Sequence, residues 1–150
     1  MLRRMADNPP APSRIRALPS WLLGRAAARG RGLVADALAR HDMRMWHHVV
    51  LAAVADLGPV AQADLGRAVA LDPKDLVGVL NDLQAAGLVV RAPDPADRRK
   101  NAVGLTAEGE RRLAECAEAG ERANDELLAP LSAAERDQFL DMLRRIIGVR

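Results

Sequence analysis

The stretch LDPKDLVGVLNDLQAAGLVVRAPDPADRRKNAVGLTAEG, residues 71–109, decides the fold. Asp72 suits a helix N-cap, Pro73 the first helical position, and Asp75 the first turn, where the helix dipole favours an anion. Leu76, Val79, Leu80 and Leu83 recur at helical spacing as a buried stripe, and Gly87 fits the stop. The periodicity then changes. Leu88-Val89-Val90-Arg91 reads as a strand and Ala102-Val103-Gly104-Leu105 as its partner. Between them APDPADRRKN is too polar and too long for a tight hairpin, so the tip projects as a wing.

Working outward, a short helix near Gln62–Ala70 precedes the quoted segment, and a tight turn joins the two into a helix-turn-helix. Another helix is expected over Met45–Leu57, ended by Gly58-Pro59. From Ser20 to about residue 40 runs a helical pattern marked by Trp21, Leu22, Leu33, Val34, Ala37 and Leu38, and weakened by Gly24, Gly30 and Gly32. Downstream, Thr106 can cap a long helix to about Leu128, with Leu113, Ala117, Gly120 and Leu127 on one side. Ser132 and Glu135 have capping-box spacing for a last helix, whose stripe is Phe139, Met142, Leu143, Ile146 and Ile147.

The fold class is therefore mainly α with a small β-hairpin wing: a winged helix-turn-helix over 45–105, with N- and C-terminal dimerisation helices over 20–40 and 107–147. Residues 20–147 form one domain, and 1–19, rich in Pro and Arg, are expected to be a disordered basic arm. The end helices carry apolar stripes that the small central module cannot cover, so self-association into a homodimer would bury them.

Composition narrows the function. Aromatic residues are confined to Trp21, Trp46 and Phe139, so base stacking on rings is not the mode of any nucleic-acid binding. The net charge is only +2, but residues 1–31 hold seven Arg against Asp7 alone, leaving 15 cations against 19 acids elsewhere. Binding to DNA must rest on a local patch. A single cysteine, Cys116, excludes an intrachain disulfide and suits a reducing, cytoplasmic setting. The opening MLRRMADNPPAPSR has no apolar core for a signal peptide, and the longest apolar run, Val49–Ala55, cannot span a bilayer. No membrane partner is expected.

On the helix from Pro73, residues Lys74, Gly78, Asn81 and Ala85 lie opposite the leucine stripe, with Val77 flanking. Lys74 can contact a phosphate or guanine, Asn81 an adenine edge, and Val77 a thymine methyl. Gly78 weakens the helix, and close approach of its backbone to DNA is one reason to tolerate it. An ordinary solvated face reads equally well, and Asp75 and Asp82 would repel phosphates. The wing carries more weight: Arg98, Arg99 and Lys100 at the tip can reach phosphates or the minor groove, and Asp97 can hold a guanidinium extended.

Taken whole, residues 71–109 resemble the recognition helix and wing of the MarR (multiple antibiotic resistance regulator) family, most specifically in the DPADRR…V.LT..G run. The resemblance implies a dimer on a pseudo-palindromic operator of double-stranded DNA, recognition helices in successive major grooves and wings against minor grooves. It makes Arg99 the minor-groove arginine and Asp97 its orienter. It also implies a small aromatic or anionic effector held between the dimerisation helices and the DNA-binding lobe, where Trp21, His41, Met43, Arg44, Met45, Trp46 and His47 fall. Packing is the alternative role for Trp46 and the methionines. Two departures stand out: Val77, Gly78 and Asp82 replace the polar or basic residues frequent in the family's recognition helix, and Ala96 replaces a common wing arginine.

No metal or cofactor is expected, since His47 and His48 point about 100° apart on a helix. Cys116, flanked by Glu115 and without a neighbouring cation in sequence, reads as packing rather than a redox sensor. An enzyme is disfavoured because no phosphate loop, zinc-protease pair or local nucleophile–base arrangement is present. A winged-helix protein-interaction module without DNA binding is the remaining alternative, and the basic tip counts against it. The expected function is a sequence-specific, ligand-responsive DNA-binding regulator, read as a repressor, with activation equally open from the sequence.

Overall fold

A computed structural model describes residues 12–149. The basic arm expected over 1–19 falls largely outside it. Of that arm, residues 12–18 form exposed hydrogen-bonded turns, with Ile15 N–H donating to Pro12 O at 3.0 Å and Leu18 N–H to Ile15 O at 2.9 Å.

The elements are α1 (Pro19–Ala39), α2 (Met45–Leu57), β1 (Val60–Ala61), α3 (Gln62–Val69), α4 (Pro73–Ala85), β2 (Val89–Pro93), β3 (Asn101–Leu105), α5 (Ala107–Leu127) and α6 (Ala133–Ile147). The caps read from sequence are formed. The Asp72 carboxylate accepts from Lys74 N–H at 2.8 Å, the Thr106 hydroxyl from Gly109 N–H at 3.0 Å, and Ser132 and Glu135 complete a reciprocal box. Gly87 follows α4 with φ +74°, a conformation that glycine adopts without a Cβ penalty.

The strand β1 was not expected. Its two residues pair antiparallel with β3, Val60 opposite Val103 and Ala61 opposite Ala102, giving sheet order β1-β3-β2. The hairpin itself runs longer than its apolar residues suggest, to the Pro93–Asn101 pair, which shortens the free tip.

One core joins the helix-turn-helix to the sheet and to α5. Leu38, Val50, Leu51, Val54, Leu65, Leu76, Leu80, Leu83, Leu88, Val89, Val103 and Cys116 are all buried in it. A second seam of small side chains, Ala37 of α1 against Ala119 and Ala123 of α5, lets those two long helices pack closely. The buried face of α5 is thus Gly109, Cys116, Ala119 and Ala123, with Leu113 packed on the core, and the expected Ala117 is exposed. In so alanine-rich a helix, residue size does not mark the inner face.

Gly109 seats α5 against the sheet. A Cβ there would lie 2.0 Å from the Leu88 carbonyl oxygen, so no other residue fits without moving backbone. That same oxygen accepts from Thr106 N–H at 3.1 Å, and the Thr106 hydroxyl donates to Gly87 O at 2.6 Å.

α6 buries no residue within the chain. Ile146 and Ile147 are 66% and 68% exposed, and Met142 and Leu140 are also exposed. Ile15, Leu18, Leu22 and Leu23, before and within α1, are exposed as well. Among the described residues no helix is long and apolar enough to cross a membrane.

Candidate nucleic-acid interface

Lys74, Val77, Gly78 and Asn81 are all exposed on α4, as the spacing predicts. A Cβ at Gly78 would meet nothing within 4 Å, so packing inside the chain does not require glycine there. The C-terminal half of that face is tied down. From β2, Arg91 donates through Nη2 to Asn81 Oδ1 at 2.6 Å and through Nε to Gln84 Oε1 at 2.7 Å. These bonds engage the oxygen that a two-point contact to adenine needs from Asn81.

Asp82 is also engaged. Its Oδ2 lies 2.9 Å from His47 Nε2, while His47 Nδ1 accepts from Arg44 N–H at 3.1 Å. A ring whose Nδ1 accepts carries its proton on Nε2 when neutral, so His47 donates to Asp82 and caps α2 at once. Of the two acids that sequence reading sets against phosphates, Asp82 is thus partnered from α2.

At the wing, Asp94 N–H donates to Lys100 O at 2.7 Å and Lys100 N–H to Asp97 O at 2.9 Å, closing the tip. Asp97 Oδ1 accepts from both Arg99 N–H and Arg99 Nε at 3.1 Å, and Oδ2 from Nη2 at 3.3 Å. The Arg99 side chain is nonetheless 90% exposed. The Asp97–Arg99 pairing expected from sequence is present, and the Arg99 guanidinium and backbone N–H hold the Asp97 carboxyl below its ordinary range. Arg98 and Lys100 are exposed beside it.

The effector candidates do not form one hydrogen-bonded cluster. Trp21 lies under the Arg25 guanidinium, 5.7 Å from ring centroid to Cζ. His41 faces α5: its carbonyl accepts from Arg112 Nη1 at 2.8 Å, and its Nδ1 lies 3.6 Å from Glu115 Oε2. Arg44 and Trp46 are exposed, and His47 turns toward α4. Sequence reading assigned no site role to three residues. Arg91 braces α4, and Gln62 has a buried side-chain oxygen without a hydrogen-bond partner. His48 has a buried Nδ1 in the same position, and burial lowers its pKa below 6.5.

Cys116 is buried, and burial raises its pKa despite the opposing charge of Arg112 one turn before it, so the thiol stays protonated. Among the described residues no cluster of His, Cys, Asp or Glu fits a metal ion.

A helix-turn-helix followed by a sheet with a cationic tip defines a winged-helix protein. Residues 41–100 match the model of the MarR family. Over 107 residues, 71% of this chain and 79% of the relative, the sequence is 34% identical to the transcriptional regulator HosA of Escherichia coli O111:H-. The fold is similar to that of the Mycobacterium tuberculosis MarR family protein Rv2887, solved in complex with DNA: 26% identity, TM-score 0.74, covering 86% of this chain and 97% of that one. It is also similar to Bordetella bronchiseptica BpsR, whose structure addresses regulation of DNA binding by 6-hydroxynicotinic acid: 29% identity, TM-score 0.72, covering 93% and 99%. The chain belongs to the MarR family and is a transcriptional regulator, not an enzyme.

Proposed function

We propose that this regulator is a homodimeric repressor that grips an operator with α4 in the major groove and Arg99 in the minor groove, and that a small effector releases it. The observation that carries the reading is the fork in which Asp97 pairs with Arg99 at an exposed tip. Holding the guanidinium in place lowers the entropy cost of ordering it on a phosphate or in a narrow groove. Arg98 and Lys100 add local charge, and Lys74, Val77 and Gly78 present the free half of the recognition helix.

Dimerisation through α1, α5 and α6 is supported by the apolar face that α6 leaves uncovered. Two-fold pairing duplicates the helix and the wing, which a pseudo-palindromic site requires. A dimer seated across a promoter blocks polymerase. Effector control is supported by the likeness to BpsR. Such a ligand acts by favouring a dimer whose helices no longer match operator spacing. The region around Trp21, His41, Arg44 and Trp46 is the candidate site, with His48 in place of the His47 that α4 engages.

Sedimentation and footprinting on the DNA upstream of its own gene test the reading together. The expected result is a dimer protecting two half-sites about one helical turn apart. A monomer, or a chain that protects nothing at low salt, overturns it. Release by phenolic acids in the same footprint is the expected effector response.

A further inference from the structure

His47 ties the N-terminus of α2 to α4 and uses both ring nitrogens to do so. Nδ1 accepts from Arg44 N–H at 3.1 Å, and Nε2 lies 2.9 Å from Asp82 Oδ2. The two partners differ in access: the His47 side chain is 13% exposed and that of Asp82 66%. Asp82 stands one helical turn beyond Gly78 on the exposed side of α4, so a duplex seated on that helix brings phosphates toward its carboxylate. A neutral ring donates a hydrogen bond to Asp82 but leaves the negative charge in place. Histidine is also the side chain that gains or loses charge near neutral pH. Taking up a proton costs the ring its bond from Arg44 N–H, because Nδ1 then has no lone pair, and turns the bond to Asp82 into an ion pair. Phosphates brought near Asp82 tip that exchange toward the charged ring. Among the described residues no other carboxylate lies within 4 Å of the ring nitrogens. On α3, Asp64 is bridged to Arg67, and on α5, Glu108 and Glu115 are taken by Arg111, Arg112 and His41. β3 carries no charged residue, and Asp36 of α1, Asp42 of the loop before α2 and Asp75 of α4 lie beyond that distance. Of the cations around it, Arg91 of β2 is bonded to Asn81 and Gln84, on either side of Asp82, and the Arg44 side chain is exposed.

We propose that His47 belongs to the DNA interface through Asp82, taking up a proton as α4 meets the duplex so that the helix presents a neutral pair in place of a bare acid. Operator binding and proton uptake then favour each other, each to the same extent. The complex holds more protons than the free protein, so affinity rises as pH falls, by at most tenfold per pH unit for each subunit. This role rests on the regulator reading above, since it needs α4 on DNA.

Fluorescence anisotropy of the full chain on the DNA upstream of its own gene, at constant salt between about pH 8 and 6, tests it. The parent should bind about 3–10-fold tighter at the acid end. Asp82→Asn, at an exposed position, keeps an acceptor for His47 but has no charge to neutralise. It should bind tighter than the parent at about pH 8 and vary little with pH. His47→Gln, which can donate but cannot charge, should lose the rise as well. Calorimetry of the same binding in two buffers of different ionisation enthalpy should show net proton uptake by the parent and less by Asp82→Asn. A parent affinity without pH dependence overturns the proposal. So does a rise that persists in Asp82→Asn, because another group then takes the proton. Should His47→Gln fail to fold, Asp82→Asn and the buffer pair decide alone. The two claims separate cleanly: a chain that binds no DNA at either pH sinks the regulator reading and this role with it, whereas DNA binding without proton uptake sinks only the role of His47.

Discussion

The wing tip and the C-terminal half of α4 carry similar polar residues and use them in opposite ways. At the tip, an acid two residues before an arginine pairs with it, and the side chain stays exposed. On α4, Asn81, Gln84 and Asp82 are drawn back by Arg91 and His47, which brace the helix to β2 and to α2. A polar residue on a recognition helix is therefore not by itself a base contact. On the proposed reading, the tip supplies charge for the duplex, and the ledge supplies rigidity to the helix that reads it.

The largest expected effect is at the tip. Arg99→Ala should weaken operator binding by roughly tenfold or more and reduce the slope of log affinity against log salt by about one phosphate-equivalent. An unchanged slope in a salt-titrated gel shift removes Arg99 from the interface. Arg91→Ala is the counterpart on the ledge. It should lower affinity for the operator several-fold relative to random DNA, while leaving the salt slope alone, because its guanidinium is spent on Asn81 and Gln84. A shift in slope instead would make Arg91 a phosphate contact and erase the contrast between the two regions.

Gly78→Ala separates fold from function at the free half of α4. With open space around a Cβ there, the helix should gain roughly 1 kcal/mol in a denaturant melt. If the backbone approaches DNA closely, operator affinity falls in the same variant, and an affinity at or above the parent's would show that it does not.

The smallest effect concerns His48. Its folded pKa lies below the ordinary 6.5 because burial disfavours the cation. The unfolded chain therefore takes up the proton first. The stability that depends on a neutral ring is whole above about pH 6.5 and drains as pH falls from there toward the folded pKa. Thermal melts between about pH 7.5 and 5.5 should decline less in His48→Leu than in the parent, and an equal decline would assign the slope to other groups.

The helix-turn-helix and the hairpin were legible because their signals are local: Asp72-Pro73 at one end of α4, Gly87 at the other, and alternation on both sides of the DPADRRK tip. Strand β1 was not, since two residues carry no periodicity and acquire strand geometry only from β3. On α5, Leu113 packs as expected while Ala117 is exposed and Ala119 and Ala123 are buried, because alanine is small on every side and does not mark the inner face. At the candidate site, the Asp97–Arg99 fork spans two residues and was visible. The His47–Asp82 bridge spans 35 and the Arg91–Asn81 bond 10, so neither partner announces the other.

The junction at Gly109 carries a consequence for how this molecule moves. With the Leu88 carbonyl pressed against the bare Cα of α5 and gripped by Thr106, wing and dimer helix meet without any loose linker. The sheet and α5 then turn as one lever whose far end is the arginine tip. In the proposed dimer, small tilts between subunits would reach the tip magnified instead of being absorbed along the way.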